Sequence, residues 1–207
     1  MAVVYSQNGT VVRKKDYDLS KFIVLGQEAN LQTVGNLVWC INSTNDGWFR
    51  TPSLNLSQVS TIEEYWTVYV NSYESTGGGS VAAGSWWTEN DYRNFIDVSI
   101  YPESIRFLYG NPQVIDYEYV SYTPNTKITI IKKLDANNVN VKVFFNDDLK
   151  GERTISRTLL NMPNTNRYFH IGGLRTYATG FGLKGKIDFL HSYIKVDGNL
   201  FWGVLVK

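Results

Sequence analysis

Thr126-Lys-Ile-Thr-Ile-Ile-Lys132 and Val139-Asn-Val-Lys-Val-Phe-Phe145, joined by Leu134-Asp-Ala-Asn-Asn138, decide the fold class. Both runs are rich in β-branched and aromatic residues, and the second alternates apolar and polar side chains at period two, the pattern of a strand with one buried face. The Asn and Asp residues between them tolerate the left-handed backbone of a hairpin turn. A second turn, Asn146-Asp-Asp148, follows at once.

The same reading extends in both directions. Trp66–Tyr73, Phe95–Tyr101, Ser104–Tyr109 and Val114–Val120 precede the hairpin as short strand-like runs, and 167–172, 185–190, 192–196 and 200–206 follow it, with a turn signal at Asp197-Gly-Asn199. The best helical signal is one turn near Ser60-Thr-Ile-Glu-Glu64, where Ser60 would cap and Glu63 sits three residues on. The expected class is therefore all-β, a sandwich. Val34-Gly-Asn-Leu-Val-Trp39 and Asp197-Gly-Asn-Leu-Phe-Trp202 echo one another, as two hairpins built on one turn recipe would.

Composition narrows the function. Across 207 residues, 20 Lys plus Arg stand against 19 Asp plus Glu, a formal net charge of +1. That balance lacks the positive excess that drives non-specific nucleic-acid binding. The single cysteine, Cys40, excludes an internal disulfide or a thiolate metal cluster. With 43% apolar and 14% aromatic residues the chain can build a sizeable core. The N-terminus has no secretory pattern, and no apolar run approaches the roughly 20 residues of a membrane span, so neither export nor membrane insertion is expected. A polar, turn-rich break at 42–47 divides an arm of residues 1–45 from a main domain of 46–207. The strand-like pieces of the arm, including Val11, Val12, Phe22, Ile23, Val24 and Leu25, are too few to enclose a core and are expected to dock on the main domain or, as strand edges, on a partner.

Candidate chemistry concentrates in Ser75–Tyr92, where a Gly/Ser/Ala stretch leads into Trp86-Trp-Thr-Glu-Asn-Asp-Tyr92. Adjacent tryptophans on a strand face opposite ways, so one of Trp86 and Trp87 must face solvent, a ligand or a partner. With Asn90, Asp91 and Tyr92 it supplies the mixture of stacking surface and hydroxyl partners that a sugar ring needs. The competing reading is a loop that packs its own aromatics or a subunit contact. A glycosidase needs two carboxylates roughly 5 to 9.5 Å apart. Asp116 and Glu118 share a strand face about 7 Å apart, and read better as a solvent-facing acidic pair. His170 and His191 read as ordinary strand histidines, and no nucleophile elbow accompanies them. Asp147, Asp148 and Asp197 sit in turns without a calcium-loop pattern. No catalytic residue, metal or cofactor is expected.

Three stretches resemble the concanavalin A-like lectin/glucanase superfamily, specifically the laminin G-like modules of bacteriophage virion proteins. They are the hairpin running into Asn146-Asp-Asp-Leu149, with Asp147 where a glycine is usual; Arg167-Tyr-Phe-His-Ile-Gly-Gly173; and Gly185-Lys-Ile-Asp-Phe-Leu-His-Ser-Tyr-Ile-Lys-Val-Asp-Gly-Asn-Leu-Phe-Trp202. The last, which looks like the closing hairpin of the phage modules, is the most specific. Laminarinase-type hydrolases of the superfamily carry a Glu-x-Asp-x-(x)-Glu strand, and Val114 occupies its first position here, so the resemblance implies no hydrolase. It implies a jelly-roll β-sandwich with a short N-terminal arm, in a non-catalytic virion structural protein such as a capsid decoration, fibre or tail component. The expected partners are other virion proteins of the capsid, tail or portal vertex, a host surface glycan, and further copies of the chain. A bacterial carbohydrate-binding module is the alternative.

Overall fold

A computed structural model describes residues 3–7, 10–13, 23–25, 30–34, 37–41, 48–50, 54–70, 81–85, 94–110, 114–123, 125–160, 166–167, 169–171, 185–188 and 191–206. The described residues form an antiparallel β-sandwich, and no α-helix occurs among them. The jelly-roll expectation holds.

One sheet has 11 strands. Its continuous path runs β15 (Asp148–Ser156), β14 (Asn138–Phe145), β13 (Lys127–Leu134), β8 (Ile62–Val70), β19 (Tyr193–Val196), β20 (Asn199–Val206), β1 (Val3–Gln7) and β2 (Thr10–Arg13). β18 (Gly185–Ile187) pairs with β8 and with β5 (Leu37–Ile41), which in turn pairs with β4 (Asn30–Val34). The 7-stranded sheet runs β12 (Val114–Tyr119), β11 (Ser104–Gly110), β10 (Asn94–Tyr101), β9 (Val81–Ser85), β17 (Phe169–Ile171), β6 (Trp48–Arg50) and β3 (Ile23–Leu25). A short ladder of β7 (Leu54–Asn55) with β16 (Asn166–Arg167) completes the set.

The core lies between the two large sheets. From the 11-stranded sheet it takes Ile62, Trp66, Val68, Ile128, Ile130, Val139, Val141, Val143, Ile194 and Trp202, and from the 7-stranded sheet Ile96, Val98, Ile100, Ile105, Phe107 and Phe169. These are alternate residues of their strands, as the pleat requires. Trp66 and Trp202 meet with ring centroids 5.1 Å apart. Each buried side chain of this size is worth roughly 1.5–3 kcal/mol of apolar burial.

The edge of β8 is shared, Tyr65 pairing with Tyr193 of β19 and Val68 with Ile187 of β18. Between them Thr67 donates its amide to Ser192 Oγ (3.0 Å) and accepts from the Asp188 amide (2.8 Å), which keeps the buried ladder satisfied across the gap.

The helical turn expected at Ser60–Glu64 does not form. Asp197 Oδ1 accepts from the amides of Ser60 (3.0 Å) and Thr61 (2.8 Å), while Ile62, Glu64 and Trp66 alternate into the interior as strand β8. One turn of 3-10 helix lies earlier, at Leu56–Gln58, where the Asn55 side chain caps the Ser57 amide at 3.1 Å. At the decisive hairpin the turn works differently from the expectation. Asp135 Oδ1 accepts from the amides of Asn137 and Asn138, both at 2.8 Å, whereas the left-handed residues other than glycine among the described residues are Asn125, Asn146, Asp147 and Asp197. The echoed sequences do both lie at hairpins, with Val34 opposite Leu37 and Val196 opposite Asn199.

Candidate functional site

The outer face of the 7-stranded sheet carries an ordered array of side chains from three consecutive strands. Hairpin register places Tyr101, Ser99 and Asp97 of β10 opposite Ser104, Arg106 and Leu108 of β11, and these opposite Tyr119, Tyr117 and Ile115 of β12. Because Val98, Ile100, Ile105 and Phe107 belong to the core, the residues alternating with them point away from it. The result is a three-by-three grid, about 14 Å by 10 Å on strand spacings, with Arg106 at its centre.

Aromatic rings surround that centre. Tyr117 is 43% exposed and Tyr119 82%, and the two rings are nearly parallel with centroids 6.3 Å apart. The Arg106 guanidinium lies over the Tyr101 ring at 5.2 Å and donates from Nη2 to Ser99 Oγ at 3.2 Å. Burial raises the Tyr101 hydroxyl's pKa, against the opposing pull of Arg106. Exposed tyrosines beside a guanidinium and Ser104 form a shallow amphipathic platform, able to stack on a ring and to hydrogen-bond its substituents; Ser99 lies buried beneath Arg106.

Asp97 occupies one corner. It is 1% exposed, and among the described residues neither of its oxygens has a hydrogen-bond partner. Burial pushes its pKa up to about 6, opposed by the attraction of Lys132 and Arg106 and assisted by Glu64. Lys132 and Glu64 form a buried ion pair of 3.3 Å inside the sandwich, and Glu64 Oε1 also accepts from the Trp66 indole at 2.5 Å.

The acidic pair on β12 has a different role from the platform. Asp116 and Glu118 lie on the opposite face of the strand from Tyr117 and Tyr119, at the rim where the two sheets meet. Arg153 of β15 donates from Nε to Asp116 Oδ2 at 2.5 Å and from Nη2 to Glu118 Oε2 at 3.3 Å, with its guanidinium 4.8 Å from the Phe107 ring centroid. The Arg153 hydrogen bond holds the Asp116 carboxyl below its ordinary range. The pair expected to be free in solvent is thus engaged across the sandwich edge. Val114, at the position of the absent nucleophile, is exposed.

The remaining residues singled out from the sequence fall as follows. Trp86, Trp87, Asn90, Asp91 and Tyr92 lie outside the described residues. Phe22 also lies outside them. Val11 and Val12 lie in β2, and Ile23, Val24 and Leu25 form β3; these are terminal strands of the two sheets. Residues 1–45 pair with later strands at three places, β1 with β20, β3 with β6 and β5 with β18. His170 is a strand residue of β17. His191 is not in a strand: it precedes β19, 64% exposed, with Nδ1 2.7 Å from Asp188 Oδ2. Asp147 pairs with Lys127 at 2.7 Å, and Asp197 caps amides, so both turn acids have structural roles. Tyr101, Arg106, Tyr117 and Tyr119 are site residues that composition and motif do not single out. Their signal lies in the order of the strands, since the three are consecutive and short turns fix the alternation that puts these residues on one face.

No protein-family model and no curated protein matches the chain. Solved structures do. A legume lectin-like domain from Entamoeba histolytica is similar over 86% of this chain and 90% of its own, with 10% identity and a TM-score of 0.51. Domains LG4-5 of the mouse laminin alpha1 chain are similar over 89% of this chain and 48% of theirs, at 9% identity and a TM-score of 0.52. A sialidase matches over 87% of this chain, which spans only 17% of the sialidase, at 12% identity and a TM-score of 0.50. At these identities the likeness concerns the fold: the chain shares the lectin-like, laminin G-like β-sandwich of these structures.

Proposed function

We propose that the chain is a non-catalytic, lectin-like module that recognises glycan through the outer face of β10, β11 and β12. The observation that carries this reading is the Tyr117–Tyr119 pair, held in solvent on a sheet face around Arg106. Two large rings in water on one strand oppose the hydrophobic effect unless something covers them in use. A sugar ring offers the C–H face that stacks on them and the hydroxyls that Ser104 and the tyrosine hydroxyls can satisfy. The likeness in fold to a legume lectin-like domain supports the class. The Arg153 hydrogen bond that lowers the Asp116 carboxyl's pKa argues against that group as the proton-donating acid a glycosidase needs.

A glycan array probed with the wild type, with Tyr117→Ala plus Tyr119→Ala, and with Trp86→Ala plus Trp87→Ala tests the reading. Binding by the wild type that is lost in the tyrosine variant supports it. No glycan bound, or equal binding by the tyrosine variant, overturns it.

The finer setting, a bacteriophage virion with residues 1–45 as anchor, rests on the resemblance of the closing hairpin Gly185–Trp202 to phage modules. Mass spectrometry of purified particles tests it; particles lacking the chain contradict it.

A further inference from the structure

We propose that the glycan taken by this face carries a carboxylate, and that Arg106 at the centre of the grid binds it. The inference deepens the proposed glycan recognition and rests on it.

Among the arginines, three have side chains that the structure describes. Arg153 serves Asp116 and Glu118. Arg157 donates to the carbonyls of Ser60, Asp135 and Val59 at 2.8–2.9 Å. Arg106 makes one hydrogen bond, to Ser99 Oγ, and no ion pair among the described residues; its Nε is buried without a partner. A guanidinium has five donors in a planar fork, so four N–H groups here are uncommitted to protein acceptors among the described residues.

Position explains why those donors are kept. The guanidinium is laid over Tyr101, and its residue stands opposite Tyr117 in register, so its plane is supported beside the exposed tyrosines. No acid stands on the exposed part of the grid. Asp97 is buried in its corner, where Lys132 also attracts it, and Asp116 and Glu118 lie on the far face of β12 under Arg153. A neutral sugar would be served by the tyrosines and Ser104 alone. The feature beyond that requirement is a planar cation with no ion-pair partner among the described residues, which matches a carboxylate with two parallel N–H···O bonds.

The experiment is calorimetry at low salt with three pairs of ligands matched in ring and linkage: oligogalacturonate and its methyl ester, sialyllactose and its sialic acid methyl ester, and a heparin hexasaccharide and its desulfated form. Wild type should bind the acid of at least one carboxylate pair about tenfold more tightly than its neutral partner. That preference should fall with rising ionic strength. Arg106→Gln should bring the ratio of acid to neutral affinity down toward one. Arg106→Lys, which keeps the charge without the fork, should retain part of the preference. Acid and neutral ligands bound equally by the wild type, or a preference that survives Arg106→Gln, overturn the carboxylate assignment and leave the glycan reading intact. A preference confined to the sulfated member of the heparin pair overturns it in favour of sulfate. No binding of any of the six ligands overturns the glycan reading, and this inference with it.

Discussion

Arg106 and Tyr117 are direct cross-strand partners on β11 and β12, on the face of the sheet that points away from the core. Opposite residues of an antiparallel pair have Cβ atoms about 5 Å apart. A charged group and an exposed ring are therefore presented together by backbone hydrogen bonding rather than by a loop. That makes the pair rigid, and it separates the consequences of removing it for binding from those for folding.

Tyr119→Ala and Tyr117→Ala should each weaken glycan binding several-fold, since ring stacking contributes about 0.5–1.5 kcal/mol beyond area. Both rings are exposed, so stability should change by less than about 0.5 kcal/mol. Parallel calorimetry and urea titration check this. A large stability loss with unchanged binding would mean that the rings belong to the fold.

Asp97 predicts an unusual pH dependence. Its folded pKa of about 6 lies above the ordinary carboxylate value. At this site the folded state therefore binds the proton more strongly than the unfolded chain, so the contribution of Asp97 to stability is greatest below about pH 4 and falls as pH rises through about 6. A shift of this size corresponds to roughly 3 kcal/mol of differential stability. Asp97→Asn should flatten that fall and raise the thermal midpoint at pH 7, with little gain at pH 4. An unaltered pH profile in the variant contradicts the account.

Gly151 faces Phe107 and Ile105 across the sandwich. A methyl group at Gly151 would lie 3.1 Å from Phe107 Cζ and 3.2 Å from Ile105 Cδ1. Arg153 sits over the same ring, which limits how far it can retreat. Gly151→Ala should therefore destabilise by about 1–2 kcal/mol through overpacking, read as a lower urea midpoint at unchanged slope. Arg153→Ala should cost about 1 kcal/mol by releasing the rim.

The buried Glu64–Lys132 pair should behave as one unit. Removing either charge alone leaves the other in the core and should cost about 3–5 kcal/mol. Replacing both by Leu and Met should cost less than the sum of the single changes. A double-mutant cycle measures the coupling, and strict additivity would show that the pair contributes nothing jointly.

Much of this architecture is legible in the order of residues. The alternation in Val139–Phe145 and the β-branched run from Lys127 predict β13 and β14, and the turn residues Asp197 and Gly198 predict the closing hairpin. What escapes are contacts between residues far apart in sequence. Asp197 takes the amides of Ser60 and Thr61 from more than 130 positions away, and this turns an apparent helix cap into the start of a strand. Arg153, one charge among several in a polar strand, becomes the partner of Asp116 and Glu118 only when the two sheet edges meet. The platform is an intermediate case. Tyr101, Arg106, Tyr117 and Tyr119 are local enough to place by hairpin register, but the dense aromatic run at Trp86–Tyr92 is the louder signal in composition.

The most direct test of the platform is a titration of isotope-labelled protein with the tightest-binding glycan, following backbone amides by nuclear magnetic resonance. The largest shifts should fall on Ser104, Arg106, Tyr117 and Tyr119, and Tyr117→Ala plus Tyr119→Ala should abolish them. Shifts confined to residues 86–92, with the amides of β10, β11 and β12 unmoved, would contradict the assignment of the site.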